Sequence, residues 1–268
     1  MSAAETFRKH RPQAPSGLLA AEAAGLRWLA GATGGVRTVL PLNAIDESST
    51  EILLPRVPHT RPVRPAHAHE FGRRLARTHA TGGQWFGRPP ADRDAGSPGF
   101  IGDLPLTYVT RQDASAHWGT FYAEHRLLPY ARQALAQGSV SPSAMDRISV
   151  AVQRLQDGDP RLCGPPEPPA RIHGDLWSGN VMWDDDGAVL IDPAAHGGHR
   201  ETDLAMLALF GLPDLDAVLT GYQQENPLAD GWPERVAVHQ LHPVLVHAVL
   251  FGGRYGQQAE DLLARFLD

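Results

Sequence analysis

The segment RIHGDLWSGNVMWDDDGAVLIDP, Arg171 to Pro193, constrains this chain more than any other. It reads as two brief strands with Asp175, Asn180 and Asp192 on the short turns around them. Short strands fix the turns, and the turns aim the side chains. Three oxygen-bearing groups at these spacings suit a base that accepts a hydroxyl proton and two ligands for Mg²⁺ on the phosphates of ATP. The neighbouring Asp184, Asp185 and Asp186 read as solvated carboxylates of a polar hairpin.

Lys9 is the only lysine; every other basic side chain apart from histidine is arginine. Arginine replaces lysine on solvated surfaces at little cost, so the bias by itself is compositional. The surviving lysine lies in ETFRKHRP, a strand pattern over Thr6 to His10, and Glu22 follows in LLAAEAAGLRWLA, a helix pattern over Leu18 to Ala30. A compact ammonium between a carboxylate and the α/β-phosphates has a role that the planar arginine fork does not fill. Lys9 and Glu22 are therefore the expected nucleotide clamp.

At 268 residues the chain can bury a sizeable core in one large domain or two unequal lobes. A net charge of −6 without a basic tract argues against a nucleic-acid groove and leaves room for a local phosphate pocket. Cys163 is the sole cysteine, which excludes an intrachain disulfide and a thiolate metal cluster. No apolar export segment and no run of about 18 apolar residues is present, so a cytoplasmic setting without membrane insertion is expected. A monomer is the expected state.

The first lobe is read from the start to residue 60. Its strands are Thr6 to His10 and an antiparallel pair, Val36 to Ala44 with Ser49 to Val57. The run His59 to Pro65 is read as a hinge, followed by a helix with Phe71, Leu75 and Thr78 on one face. Residues 81 to 112, rich in Gly, Pro and Asp, are read as an ordered loop. Helices are expected at Ala114 to Ala136, where Trp118, Phe121, Tyr122 and His125 make a packing face, and at Ser141 to Gln156. The remainder is read as mainly helical, with breaks at Gly211–Pro213, Pro227–Pro233 and Gly252–Gly253. Residues 61 to 268 thus form a helical lobe, and the fold class is α+β.

HGDLWSGN at His173–Asn180 and LIDP at Leu190–Pro193 resemble the catalytic and metal-binding segment of the fructosamine kinase (ketosamine-3-kinase) family. That family lies within the aminoglycoside and choline kinase-like phosphotransferases. GHRETDLAMLALFG at Gly198–Gly211, FIGDLPL at Phe100–Leu106, WGTFYAEHRLLP at Trp118–Pro129 and LHPVLVHAVLFGGRY at Leu241–Tyr255 are similar to the same family more narrowly. The likeness runs from Phe7 onward. It implies a protein-kinase-like two-lobed fold with a small sheet lobe and a large helical lobe. It implies ATP and Mg²⁺ as cofactors, and a small glycated amine or related hydroxylated metabolite as acceptor, with the 3-hydroxyl of a ketosamine as target.

Carried over residue by residue, Asp175 is the base with His173 supporting its turn. Asn180 and Asp192 are the Mg²⁺ ligands, and Lys9 with Glu22 the phosphate clamp. Trp177, His199, Arg200, Glu201 and Asp203 are candidates for the acceptor pocket. Asp203 is equally readable as a helix cap or ion-pair partner, and Arg200 is divided in the same way. One departure stands out. The family places two strands and a phosphate-covering turn before its lysine, whereas only eight residues without glycine precede Lys9. The expectation is a shortened sheet lobe lacking its first hairpin, through truncation or a natural short form, with weaker nucleotide binding. An aminoglycoside-like phosphotransferase and a nucleotide-binding pseudokinase are the rival readings.

Overall fold

A computed structural model describes residues 5–58 and 63–267. The chain has an α+β fold, with a β-rich N-terminal part and a large helical part. Strand β1 (Thr6–His10) is followed by helix α1 (Leu18–Ala30), whose Leu- and Ala-rich sequence favours helix and whose inner side buries Leu19, Ala23 and Leu26. Gly17, with φ +84°, makes the left-handed entry that a Cβ would strain. Strand β2 (Arg37–Thr38) is short, and β3 (Glu51–Pro55) pairs antiparallel with β1, setting Lys9 opposite Ile52.

The expected ladder between Val36–Ala44 and Ser49–Val57 does not form. Instead, β2 runs parallel to a later strand, β8 (Gly187–Leu190), while β3 takes β1 as its partner. Pro41 explains the difference, because it has no N–H to give a ladder. Beyond it, hydrogen bonds to β3 include Leu42 N donating to Leu53 O at 2.8 Å, Leu53 N donating to Asn43 Oδ1 at 2.8 Å and Asn43 Nδ2 donating to Glu51 O at 3.4 Å, without a regular ladder.

The proposed hinge falls largely on residues 59–62, outside the described residues. Helix α2 (Pro65–Ala80) buries Phe71, Leu75 and Thr78 on one side. Within the region read as a loop lies a small hairpin, β4 (Gly99–Ile101) and β5 (Leu104–Leu106), joined by the two-residue turn Gly102–Asp103. The helical run expected from Ala114 starts at Trp118: α3 (Trp118–Tyr122), a π turn over Ala123–Leu127, then α4 (Leu128–Ala136). Pro129 cannot donate to His125 O, and the buried Arg126 supplies that donor through Nη1 at 2.9 Å.

Helix α5 (Pro142–Gln156) is capped by Ser141 Oγ, which accepts from Ala144 N at 3.0 Å. After the short α6 (Pro160–Cys163) come β6 (Ala170–Ile172), the hairpin β7 (Val181–Asp184) with β8, and β9 (His196–Gly198), which pairs with β6. Four helices finish the chain: α7 (Arg200–Leu209), α8 (Leu215–Glu225), α9 (Trp232–Phe251) and α10 (Arg254–Leu267). Among the described residues no helix is long and apolar enough to cross a membrane. One apolar cluster joins α1, β3 and β8 through Leu19, Ile52, Leu54 and Val189, a larger one unites α3 to α6 with α9 and α10, and a third packs α2, α7 and α8 on the β7–β8 hairpin.

Candidate active site

The turn after β6 is built from below. Asp203, fully buried on α7, accepts from His173 N at 2.7 Å and Gly174 N at 2.9 Å. Its Oδ2 also lies 3.1 Å from His79 Nε2, and His79 Nδ1 is 2.8 Å from the Tyr222 hydroxyl. Gly174 has φ +82°, and a Cβ there would run into Ala194 O, so only glycine serves. Leu176 is fully buried and anchors the far side of the turn. Between these fixed points Asp175 is held at a cavity wall. Asn180 Nδ2 donates to Asp175 O at 2.8 Å and to Asp175 Oδ2 at 3.2 Å.

His173 has both ring nitrogens engaged. Nε2 donates to Ile191 O at 2.9 Å, and Nδ1 accepts from Asp175 N at 3.3 Å. Burial chiefly lowers its pKa, so the neutral ring positions the turn and is not itself a proton carrier. Burial pushes Asp175 up to about 7; Asn180 works against that shift, and the Asp192 and Asp203 carboxylates add to it.

Lys9 crosses from β1 to meet two acids. Its Nζ is 2.8 Å from Glu22 Oε2 and 3.0 Å from Asp192 Oδ1. Burial opposes the ammonium, but Glu22 and Asp192 outweigh it and hold its pKa above the ordinary value. Glu22 is raised to about 7 by burial, with Lys9 pulling the other way, and its Oε1 is buried without a hydrogen-bond partner. Asp192 reaches Lys9 from a left-handed backbone, φ +52°, just after β8. A non-glycine residue held there stores strain of about 1–3 kcal/mol, which is common where geometry serves a site.

Two concavities meet at this clamp. A polar cavity of about 240 Å³ is walled by Lys9, Glu22, Asp175, Asn180 and Asp192, with Arg11, Tyr108 and Trp177 on its other sides. An apolar slot of about 350 Å³ is lined by Phe7, Val39, Leu54, Val57, Met182 and Ile191, and it shares Lys9 and Asp192 with the cavity. The slot residues were not singled out in the sequence. Their signal is the period of two that puts Phe7 beside Lys9 on one face of β1.

Of the acceptor candidates, only Trp177 lines the cavity; it is 39% exposed, with its ring edge-on to Phe210 at 5.9 Å. His199, Arg200, Glu201 and Asp203 are turned into the helical body instead. His199 caps α7, accepting from Glu201 N at 3.2 Å, and its ring lies 5.0 Å from Trp118, with burial driving its pKa down to about 3. Arg200 grips Glu167 at 2.6 and 2.7 Å and donates to the carbonyls of Asn226 and Pro227. Glu201 is paired with Arg235 at 2.6 and 2.9 Å, and Asp203 is spent on the His173–Gly174 turn. Each of these side chains is satisfied inside the fold, and for Arg200 and Asp203 this favours the ion-pairing alternative that the sequence left open. His199, Glu201 and His239 do bring ligand atoms within 4.8 Å of one another. With both carboxylate oxygens of Glu201 held by Arg235, that group is an ion-pair network and a poor Mg²⁺ cradle.

A segment order of strand lysine, helix glutamate, HGD turn, asparagine and aspartate around one cavity is now in place. The sequence pattern that defines the family described as fructosamine kinase matches residues 2–268. The chain belongs to the fructosamine kinase family. The Escherichia coli K12 protein named "Probable ketoamine kinase YniA" is 35% identical over 209 residues, which is 77% of this chain and 67% of that protein. "Probable ketoamine kinase VV1_2562" of Vibrio vulnificus is 31% identical over 250 residues, covering 92% of this chain and 79% of its own. A Thermobifida fusca protein assigned as a fructosamine-3-kinase, whose crystal structure is known, superposes with a TM-score of 0.85 at 45% identity, covering 98% of this chain and 85% of that one.

Proposed function

We propose that this fructosamine kinase family member transfers the γ-phosphoryl group of ATP to a sugar hydroxyl of a ketosamine, O3 in a fructosamine. The observation that carries the reading is the junction at Lys9 and Asp192, two residues that line both an apolar slot and an acidic cavity that holds Asp175. A nucleoside triphosphate needs such a pair, with the base in the slot and the phosphates in the cavity. Lys9 neutralises phosphate oxygens, and Glu22 holds it upright. Asn180 and Asp192 present oxygens suited to a hard divalent cation, and the unpartnered Glu22 Oε1 and the raised Asp175 and Glu22 pKa values mark a cradle short of positive charge. Mg²⁺ bound there supplies charge neutralisation on the phosphates.

Asp175 orients the acceptor hydroxyl and takes its proton late in a loose transition state. The acceptor oxygen bonds to Pγ as the bridge to the β-phosphate breaks, and ADP departs. Trp177 offers a face for the sugar or its carrier. The N-terminal part to about residue 60 is read as the nucleotide-binding lobe and the rest as the catalytic and acceptor lobe. A cytoplasmic monomer is the setting proposed with it. The single Cys163, whose thiol burial pushes up to about 11, is an inert group in that reading.

The test is product identity: incubation with ATP, Mg²⁺ and fructosyl-lysine, with mass spectrometry for one added phosphate and NMR for its position. A phosphate at O3 supports the proposal. ATP hydrolysis with an unmodified sugar contradicts it.

A further inference from the structure

Phe7, Lys9 and Arg11 follow one another at every second residue, and Arg11 N continues the β1–β3 ladder by donating to Thr50 O at 2.8 Å. The three map onto the two concavities in order. Phe7 lines the slot, Lys9 lines both, and Arg11 lines only the polar cavity. Arg11 is therefore one step beyond the clamp, at the end away from the slot. Among the described residues, Lys9 and Arg11 are the two lysine or arginine residues in that lining, and Lys9 is already engaged by two carboxylates. Arg11 has a lighter hold: Nη2 lies 2.5 Å from Oδ1 of Asp103, with the two side chains 39% and 54% exposed. Pairs this exposed are worth about 0–1 kcal/mol, so an incoming anion exchanges for the aspartate at small cost. Asp103 sits on the tight β4–β5 turn, where Gly102 has φ +56°.

We infer that Arg11 is a second oxyanion-binding group of this site, held in reserve by Asp103 and released to a phosphate or carboxylate oxygen of a substrate. The inference rests on the nucleotide reading of the cavity. The guanidinium fork matches either oxyanion with two parallel donors. A terminal phosphate of the nucleotide and a carboxylate on the acceptor are the two sources.

The test compares wild type with Arg11→Gln and Arg11→Lys, using Mg²⁺ with the non-hydrolysable analogue AMP-PNP, fructosyl-lysine, and the carboxamide of fructosyl-lysine. Loss of one charge-assisted contact at a half-exposed site corresponds to roughly a tenfold effect. If phosphate is the partner, Arg11→Gln raises the Kd for AMP-PNP about tenfold, the worth of one such contact, and leaves the acceptor KM unchanged. If carboxylate is the partner, the KM rises for fructosyl-lysine and not for its carboxamide, at unchanged AMP-PNP Kd. In both cases Arg11→Lys recovers part of the loss. Asp103→Asn, which removes the competing anion, is expected to tighten the same ligand. Unchanged Kd and KM in Arg11→Gln, with native melting behaviour, overturns the inference. A wild-type protein that binds AMP-PNP and phosphorylates no ketosamine contradicts the proposed acceptor, while the binding comparison still decides on Arg11.

Discussion

Asp175 is under two opposing demands. As the base of the proposed reaction it must be ionised to accept a proton, yet its carboxyl is pushed up to about 7, first by burial. The base form lies above that pKa. For the free enzyme kcat/KM is therefore expected to rise with pH through about 7 and level off above it, a limb that initial-rate measurements across pH 5.5–9 (roughly bracketing that pKa) resolve. The same shift has a stability consequence. A carboxyl whose folded pKa is raised contributes fully below its unfolded value and loses that contribution as pH rises through the folded one. Asp175→Asn, which cannot ionise, is thus expected to melt higher than wild type at pH 8, with no gain near pH 4, the ordinary carboxylate range. Equal melting points at pH 8 contradict the buried-carboxyl account. At this scale the segment from His173 to Asp192 was legible because its members are close in sequence and share one turn system. For Arg200 and Asp203 the ion-pairing alternative is the one the contacts favour, but their partners, and that of Glu201, were not legible, because Glu167, His79 and Arg235 lie far along the chain and leave no local mark.

At the scale of elements, α2 and α8 support the catalytic turn through His79, Tyr222 and Asp203. Their backbones meet closely. A Cβ on Gly72 would collide with Val218 O, and one on Gly221 with His69 O. Gly72→Ala is expected to cost about 1–3 kcal/mol, the range of overpacking in a close-packed interior, and to appear as a lower midpoint in urea at unchanged m. A midpoint like that of wild type would show that the helices separate more freely than this packing implies. The helices themselves were readable from apolar spacing, as in Leu18–Ala30 and Pro142–Gln156. Strand partners were not. Pro41 broke a ladder that alternation alone suggested, and the β4–β5 hairpin was hidden in a Gly- and Pro-rich run although its Gly102–Asp103 pair is a turn signal.

For the whole molecule, a mixed strand-and-helix start followed by a mainly helical remainder made an α+β fold with a β-rich start readable from sequence. The position of the site follows from that order. β1, α1 and β3 supply the slot and the clamp, the β7–β8 hairpin supplies Met182 and the flanking turns, and the helical body holds those turns from behind. The slot was less legible, since its walls come from four separate segments that only folding brings together. A nucleotide filling both concavities ties these segments to one another. Mg²⁺ with AMP-PNP at a hundred times its Kd is expected to stabilise the fold by about 2.7 kcal/mol, a rise of roughly 5–10 °C in Tm by thermal shift. No shift at that occupancy would contradict a shared site.

The most direct measurement of the central claim is fructosyl-lysine-dependent ADP formation by wild type and Asp175→Asn at saturating ATP and Mg²⁺, with AMP-PNP affinity measured on both. The account predicts a turnover loss of about 10²–10⁴-fold in the variant, the usual worth of a positioned base, with AMP-PNP affinity within about threefold of wild type. Turnover retained in Asp175→Asn, with a phosphorylated ketosamine as product, would contradict it.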